Sequence, residues 1–247
     1  QAKMLAEIHS QGKLTDALRN RILTTDTLDA LEDLYLPYKP KRRTRAMIAR
    51  EKGLEPLAQL ILQNISDQEL IQKAAAYINS DKGVADVESA MSGARDIVAE
   101  KIAENADVRL VVREAFATDG LVVSKARPEK IGEQTKFEHY YDFKEAVKSI
   151  PSHRYLAIRR GEKEEILDMS LQIELEPILN KINGIVGCNP KSTTCRHLHQ
   201  AIEDAFTRLI APSVETDVRL ELKEISDRSA VAIFADNVRH LLLASPL

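Results

Sequence analysis

Fourteen residues, Lys39 to Lys52, hold the densest charge in the chain: Lys39, Lys41, Arg42, Arg43, Arg45, Arg50 and Lys52 against the single acid Glu51, a local balance of +6. The rest of the chain carries 28 basic against 37 acidic residues, a balance of −9, so a net charge of −3 hides a positive segment on an acidic body. Clustered Lys and Arg suit phosphate contacts, because neutralising phosphates releases counterions and makes binding salt-dependent. The same composition also describes a solvated segment between two helices, and composition alone leaves both readings open. Lys39, Lys41, Arg42, Arg43, Arg45 and Arg50 are the candidate nucleic-acid contacts, positioning a backbone without reading sequence. A second basic set, His153, Arg154, Arg159 and Arg160, offers secondary phosphate contacts or ion pairs with Glu162, Glu164 and Glu165.

Other constellations carry less. Cys188, Cys195, His197 and His199 are the only metal-like group, but zinc pairs sit two to four residues apart for cysteine and three to five for histidine, and neither spacing holds. On a helix His197 and His199 point about 200° apart, so no metal is expected. Gly184-Ile185-Val186-Gly187 has the outline of a backbone clamp, yet its middle residues are apolar and a turn is expected. Phe137, Tyr140, Tyr141 and Phe143 place four of eleven aromatics within seven residues, as a local core or as a platform for unpaired bases. Nucleotide-loop, nucleophile-elbow and metalloprotease motifs are absent, so no enzymatic activity and no cofactor are expected.

These residues need elements to hold them, and the periodicity is mostly helical. Val84, Val87, Met91, Ala94, Val98 and Ile102 recur at three- and four-residue steps, predicting one long helix over Val84 to Glu104. Leu28, Leu31, Leu34 and Tyr35 line another that Pro37 ends, with Pro37 to Pro40 expected extended. Ser66 opens a capping box, Thr15 or Asp16 caps an earlier helix, and Gly53 separates two short ones. Between Leu121 and Leu175 the character changes. Leu121-Val122-Val123 reads as strand, and Leu167, Met169, Leu171, Ile173 and Leu175 alternate with polar residues at the strand period of two. Helices are expected between them at Glu138 to Ser149 and Ser152 to Arg160. Pro177 and Pro190 bracket an expected linker; helices then run up to Pro212 and again after a cap at Ser226.

The fold expected is mainly α: an elongated multi-helix bundle with a small α+β insertion, and with helix-turn-helix character admitted in Gly12 to Leu36. Three regions follow: a helical one at 1–119 containing the basic segment 39–52, an α+β insertion at 120–176 and a helical one at 177–247. Two cysteines are too few for a disulfide framework, and no apolar run reaches the roughly 18 residues of a membrane span, so a cytoplasmic protein without membrane contact is expected.

LEDLYLPYKPKRRT, from Leu31 to Thr44, resembles the hallmark segment of the bacterial Tex family of transcription accessory proteins, and PSHRYLAIRRGE (Pro151 to Glu162) and DNVRHLLLASPL (Asp236 to Leu247) fall in the family's order and spacing. The resemblance implies a long multidomain nucleic-acid binder: a helical N-terminal region, a YqgF or RNase-H-like domain, helix-hairpin-helix elements and a C-terminal OB-fold domain credited with most RNA binding. On that basis the chain would end just before the RNase-H-like domain. Its expected function is an N-terminal scaffold with sequence-nonspecific contacts to RNA or DNA, supplied mainly through the other domains, with transcription or translation machinery as further partners. The alternative is a structural or protein-interaction module that braces those domains without binding nucleic acid itself.

Overall fold

The computed structural model describes residues 1–39, 43–63, 65–188 and 195–243. Its helices are α1 (Ala2–Ser10), α2 (Asp16–Thr24), α3 (Leu28–Tyr35), α4 (Arg45–Glu51), α5 (Glu55–Leu62), α6 (Asp67–Ala74), α7 (Val87–Ala103), α8 (Ala106–Asp119), α9 (Ser152–Lys163), α10 (Leu175–Val186), α11 (Arg196–Asp204) and α12 (Ala211–Leu243). Three strands, β1 (Leu121–Ala126), β2 (Asp142–Ala146) and β3 (Leu167–Gln172), form one sheet, so the protein is mainly α with a small sheet-bearing insertion. Contacts group the chain into two compact units, Gln1–Val112 with Glu176–Pro212, and Arg113–Leu175 with Ser213–Leu247.

In the first unit α7 is the central element. Its N-cap is Asp86, whose carboxylate accepts from Ser89 N at 2.7 Å, and Met91, Ala94, Val98 and Ile102 are all buried at the spacing that predicted the helix. Burying a side chain of the Val or Ile class contributes about 1.5–3 kcal/mol, and α4, α5 and α11 all supply neighbours to α7. Gly93 of α7 lies where α4 and α5 come closest: a Cβ there would stand 2.5 Å from Leu54 Cδ1 and 3.4 Å from Ala49 Cβ. A separate small core of Ile8, Ile22, Leu31 and Leu34 ties α1, α2 and α3 together. Asp33 of α3 and Arg109 of α8 form an ion pair with both side chains buried. Local signals behave as expected: Thr15 and Ser66 cap α2 and α6 through their hydroxyls, and Gly12 and Gly53 take positive φ at +66° and +85°.

In the second unit the sheet order is β2-β1-β3, all antiparallel, with Val122 opposite Glu145 and Leu171. Leu167, Met169 and Leu171 are buried while Asp168 and Gln172 are exposed, the period-two pattern of a half-buried strand. α9 packs against β3, burying Tyr155 and Ile158, and Gly161 admits Leu167, whose Cδ1 would lie 2.5 Å from any Cβ at that position. The Tyr155 hydroxyl donates to Arg219 O at 2.7 Å, and burial pushes its pKa up to about 12.

Four expectations need correction. Glu138 to Ser149 is not a helix: a 3₁₀ turn at Glu138–Tyr140 leads into β2, because β1 needs a second partner and sheet pairing outweighs the helix preference of Lys, Glu and Ala. Leu175 begins α10 rather than ending a strand, and α10 occupies most of the expected linker; Pro177 stands in its first turn, where no N–H is missed, and Ile178, Leu179 and Ile182 are buried. Leu36–Tyr38 is a 3₁₀ turn and Lys39 is extended, while Pro40 lies outside the described residues. Pro212 ends nothing. A π-helical turn at Ala205–Ile210 precedes it, loosening the ladder where the proline ring would otherwise meet a carbonyl, and α12 continues for 33 residues, about 50 Å, with Ser226 buried within it. Among the described residues no helix is long and apolar enough to cross a membrane.

Candidate nucleic-acid interface

The basic segment lies in the first unit and enters α4 from the turn after α3. Thr44 starts α4: its hydroxyl accepts from Met47 N at 3.1 Å and donates to Glu100 Oε1 at 2.8 Å, so the cap is also a tie to α7. From this start the basic side chains diverge by position on the helix.

Arg50 faces α7. Its Nη1 meets Glu100 Oε2 at 2.6 Å and its Nε meets Glu55 Oε2 at 3.0 Å, while Lys101 Nζ reaches the other Glu55 oxygen at 2.6 Å. Burial works against the Arg50 charge, but Glu100 and Glu55 outweigh it and hold the guanidinium above its ordinary value. Burial likewise opposes the Glu55 charge, and Lys101 and Arg50 overcome it to hold that carboxyl below 4.5. Arg50 is thus committed to joining α4, α5 and α7.

Lys39 and Arg45 are exposed and neither forms an ion pair among the described residues, although the charge of Arg45 acts on Asp96 of α7. Arg43 is exposed with a surface pair to Glu51 at 2.8 Å, of the class that contributes about 0–1 kcal/mol. Lys41 and Arg42 lie outside the described residues. Lys52, not among the candidates, donates from Nζ to Gly83 O at 2.8 Å and so bridges the end of α4 to the turn before α7.

One face of α4 (Arg45, Ile48, Ala49, Lys52) and one face of α7 (Asp86, Ser89, Ser92, Gly93, Asp96) enclose an open groove of about 470 Å³. Sequence reasoning missed it, since it needs two helices 40 residues apart, although the i, i+3, i+4, i+7 spacing on α4 was visible.

The second basic set lies in the other unit and is ion-paired. Arg154 pairs with Glu145 of β2 at 3.1 Å and Arg160 with Glu164 at 2.8 Å. Arg159 pairs with Glu162, which also takes Arg219, and Glu215 pairs with Arg219 while accepting from Leu171 N at 2.9 Å. His153 is exposed and makes no side-chain bond among the described residues.

The remaining candidates are structural in geometry. His197 Nδ1 lies 3.1 Å from Arg95 Nη1, and burial and Arg95 hold its pKa below the ordinary value; His199 faces Asn183 instead. Cys188 and Cys195 are buried free thiols, the first pushed up to about 12 by burial and then by its neighbour. Among the described residues no three His, Cys, Asp or Glu side chains converge on a metal position. Phe137 is core, while Tyr140 and Phe143 are half-buried and meet edge to face at 5.4 Å. Gly184 sits inside α10 and Gly187, at φ +80°, closes it.

The profile of the family described as Tex central region-like matches residues 66–234, more than half the chain. The chain belongs to the Tex family. The Tex-family chain is 37% identical to Protein tex of Bordetella pertussis over 257 residues, covering 98% of this chain and 32% of that protein. It is 37% identical to the Transcriptional accessory protein Tex of Neisseria gonorrhoeae, over 99% of this chain and 33% of that one. Human S1 RNA-binding domain-containing protein 1 is 27% identical over 98% of this chain and 25% of its own length. The Tex-family chain therefore spans about a third of the length of the bacterial relatives it matches.

Proposed function

We propose that this chain is a nucleic-acid-contacting scaffold of a transcription accessory protein, holding RNA or DNA by sequence-nonspecific phosphate contacts from the segment around α4. The observation that carries this is the division of labour within one short segment: Arg50 is spent on Glu100 and Glu55, while Lys39 and Arg45 face solvent without an ion pair among the described residues and Arg43 has only a surface one. Free cations on a rigid base are what phosphate positioning requires. The names of the relatives, a transcriptional accessory protein and an S1 RNA-binding domain-containing protein, support the same direction.

A salt titration tests it. Lys39, Arg43 and Arg45 changed together to Glu should flatten the log-log salt slope of single-strand binding by about 2 units, each contact being worth about 0.7. An unchanged slope sinks the proposal. The reading is of a binding module, and incubation with RNA or DNA and Mg²⁺ or Mn²⁺ is expected to give no cleavage.

A protein-interaction scaffold is the second reading. It draws on the last turns of α12, where Phe234, Leu241, Leu242 and Leu243 are each more than two-thirds exposed. Weak binding that is equally salt-insensitive in wild type and triple variant would favour it.

A further inference from the structure

We propose that the groove between α4 and α7 is a subsite for one unstacked nucleotide of a single-stranded nucleic acid. The inference rests on the phosphate-contact reading and goes beyond it by giving a base of the bound strand somewhere to go.

The groove has room for such a group, about 470 Å³, and its floor is apolar where Ile48 and Ala49 of α4, Leu54 at the start of α5 and Gly93 of α7 meet. Its acids are already engaged. Asp86 caps Ser89 N at 2.7 Å, Glu88 pairs with Arg95, and Asp96 pairs with Arg208 at 3.2 Å. Its bases are less so: Arg45 acts on Asp96 through its charge but forms no ion pair among the described residues, and Lys52 gives one of three protons to Gly83 O. Arg45 and Lys52 stand seven residues apart on one helix face, about 10 Å along the axis.

An entering group therefore meets two cations at the ends of a strip of aliphatic surface. A small inorganic anion would leave the floor unused, and a purely apolar ligand would leave the cations unused. A nucleotide uses both, its phosphate at Arg45 or Lys52 and its base laid on Ile48 and on the guanidinium plane, the stacking by which unpaired bases are held. A base inside a duplex cannot enter, so the subsite acts on single strands alone.

The test changes Ser92→Trp in the full chain. Ser92 is exposed on the groove rim and its hydroxyl makes no bond among the described residues, so the indole fills space without removing a contact. Anisotropy is measured with a labelled 12-nucleotide single-stranded RNA and a 12-base-pair DNA duplex. The expected result is a loss of about fivefold or more for the single strand, the scale of one stacked base, with the duplex unchanged. Equal loss on both, or no loss on the single strand, overturns the proposal; the latter is also what a peptide groove would give. Wild type that binds neither probe fails the phosphate reading itself. Independently of the variant, a 4-thiouridine oligonucleotide should cross-link to wild type within 45–54 or 86–96, and cross-links confined elsewhere overturn the subsite.

Discussion

Two arginine-bearing regions, the segment entering α4 and helix α9, have opposite electrostatic outcomes. On α9 Arg159 and Arg160 find carboxylates three and four residues along the same helix, and Arg154 finds one on the adjacent strand. On α4 the only acid within the segment is Glu51, which takes Arg43, and the partners of Arg50 come from α5 and α7. Charge density alone therefore says little about which cations are available. What decides is whether an acid stands one helical turn away or across a packed face.

That contrast can be broken from the α4 side first. Glu100→Ala removes the partner of Arg50 and of the Thr44 hydroxyl at a site where the Glu100 side chain is only 9% exposed. Leaving a half-buried guanidinium short of its carboxylate should cost about 2–4 kcal/mol, read as a lower urea midpoint with an unchanged m-value. A smaller effect is expected on α9: Glu162→Gln weakens the pairs to Arg159 and Arg219 and should cost about 1 kcal/mol. A loss matching that of Glu100→Ala would erase the distinction.

Arg45→Ala should reduce the salt slope for single strands by about 0.7, while Arg160→Ala, whose pair to Glu164 is largely exposed, should leave it unchanged and shift stability by less than about 0.5 kcal/mol. Slopes that fall equally would make α9 a phosphate surface too. The smallest effect is on pH dependence. The Glu55 carboxyl is held below its ordinary 4.5 in the folded state, so its contribution is full above that value and is lost as pH falls through the lower folded one. Glu55→Gln should therefore unfold with a shallower pH dependence below pH 4.5, and an identical acid limb in both proteins would remove Glu55 from the account.

The legible parts of this molecule were those whose cause is local. The stripe from Met91 to Ile102 marked α7, the alternation from Leu167 to Leu171 marked β3, and the acids beside Arg159 and Arg160 foretold their pairing. Distant causes were not legible. Asp142 to Ala146 became a strand because β1 lay open beside it, Pro212 was absorbed by a π-turn, and Arg50 was taken by Glu100, 50 residues away. Within the candidate interface the segment was readable and the assignment of each cation was not, since that required knowing which face of α4 meets α7.

Gly93 gives the contact between those two helices a different kind of rigidity. Alanine is the better helix former by about 1 kcal/mol, yet its methyl would overlap Leu54 Cδ1 and crowd Ala49. A saturation library read by folding yield should then show an abrupt boundary between neighbouring codons: position 93 closed to everything larger than hydrogen, and position 92, on the groove rim, open to almost any residue.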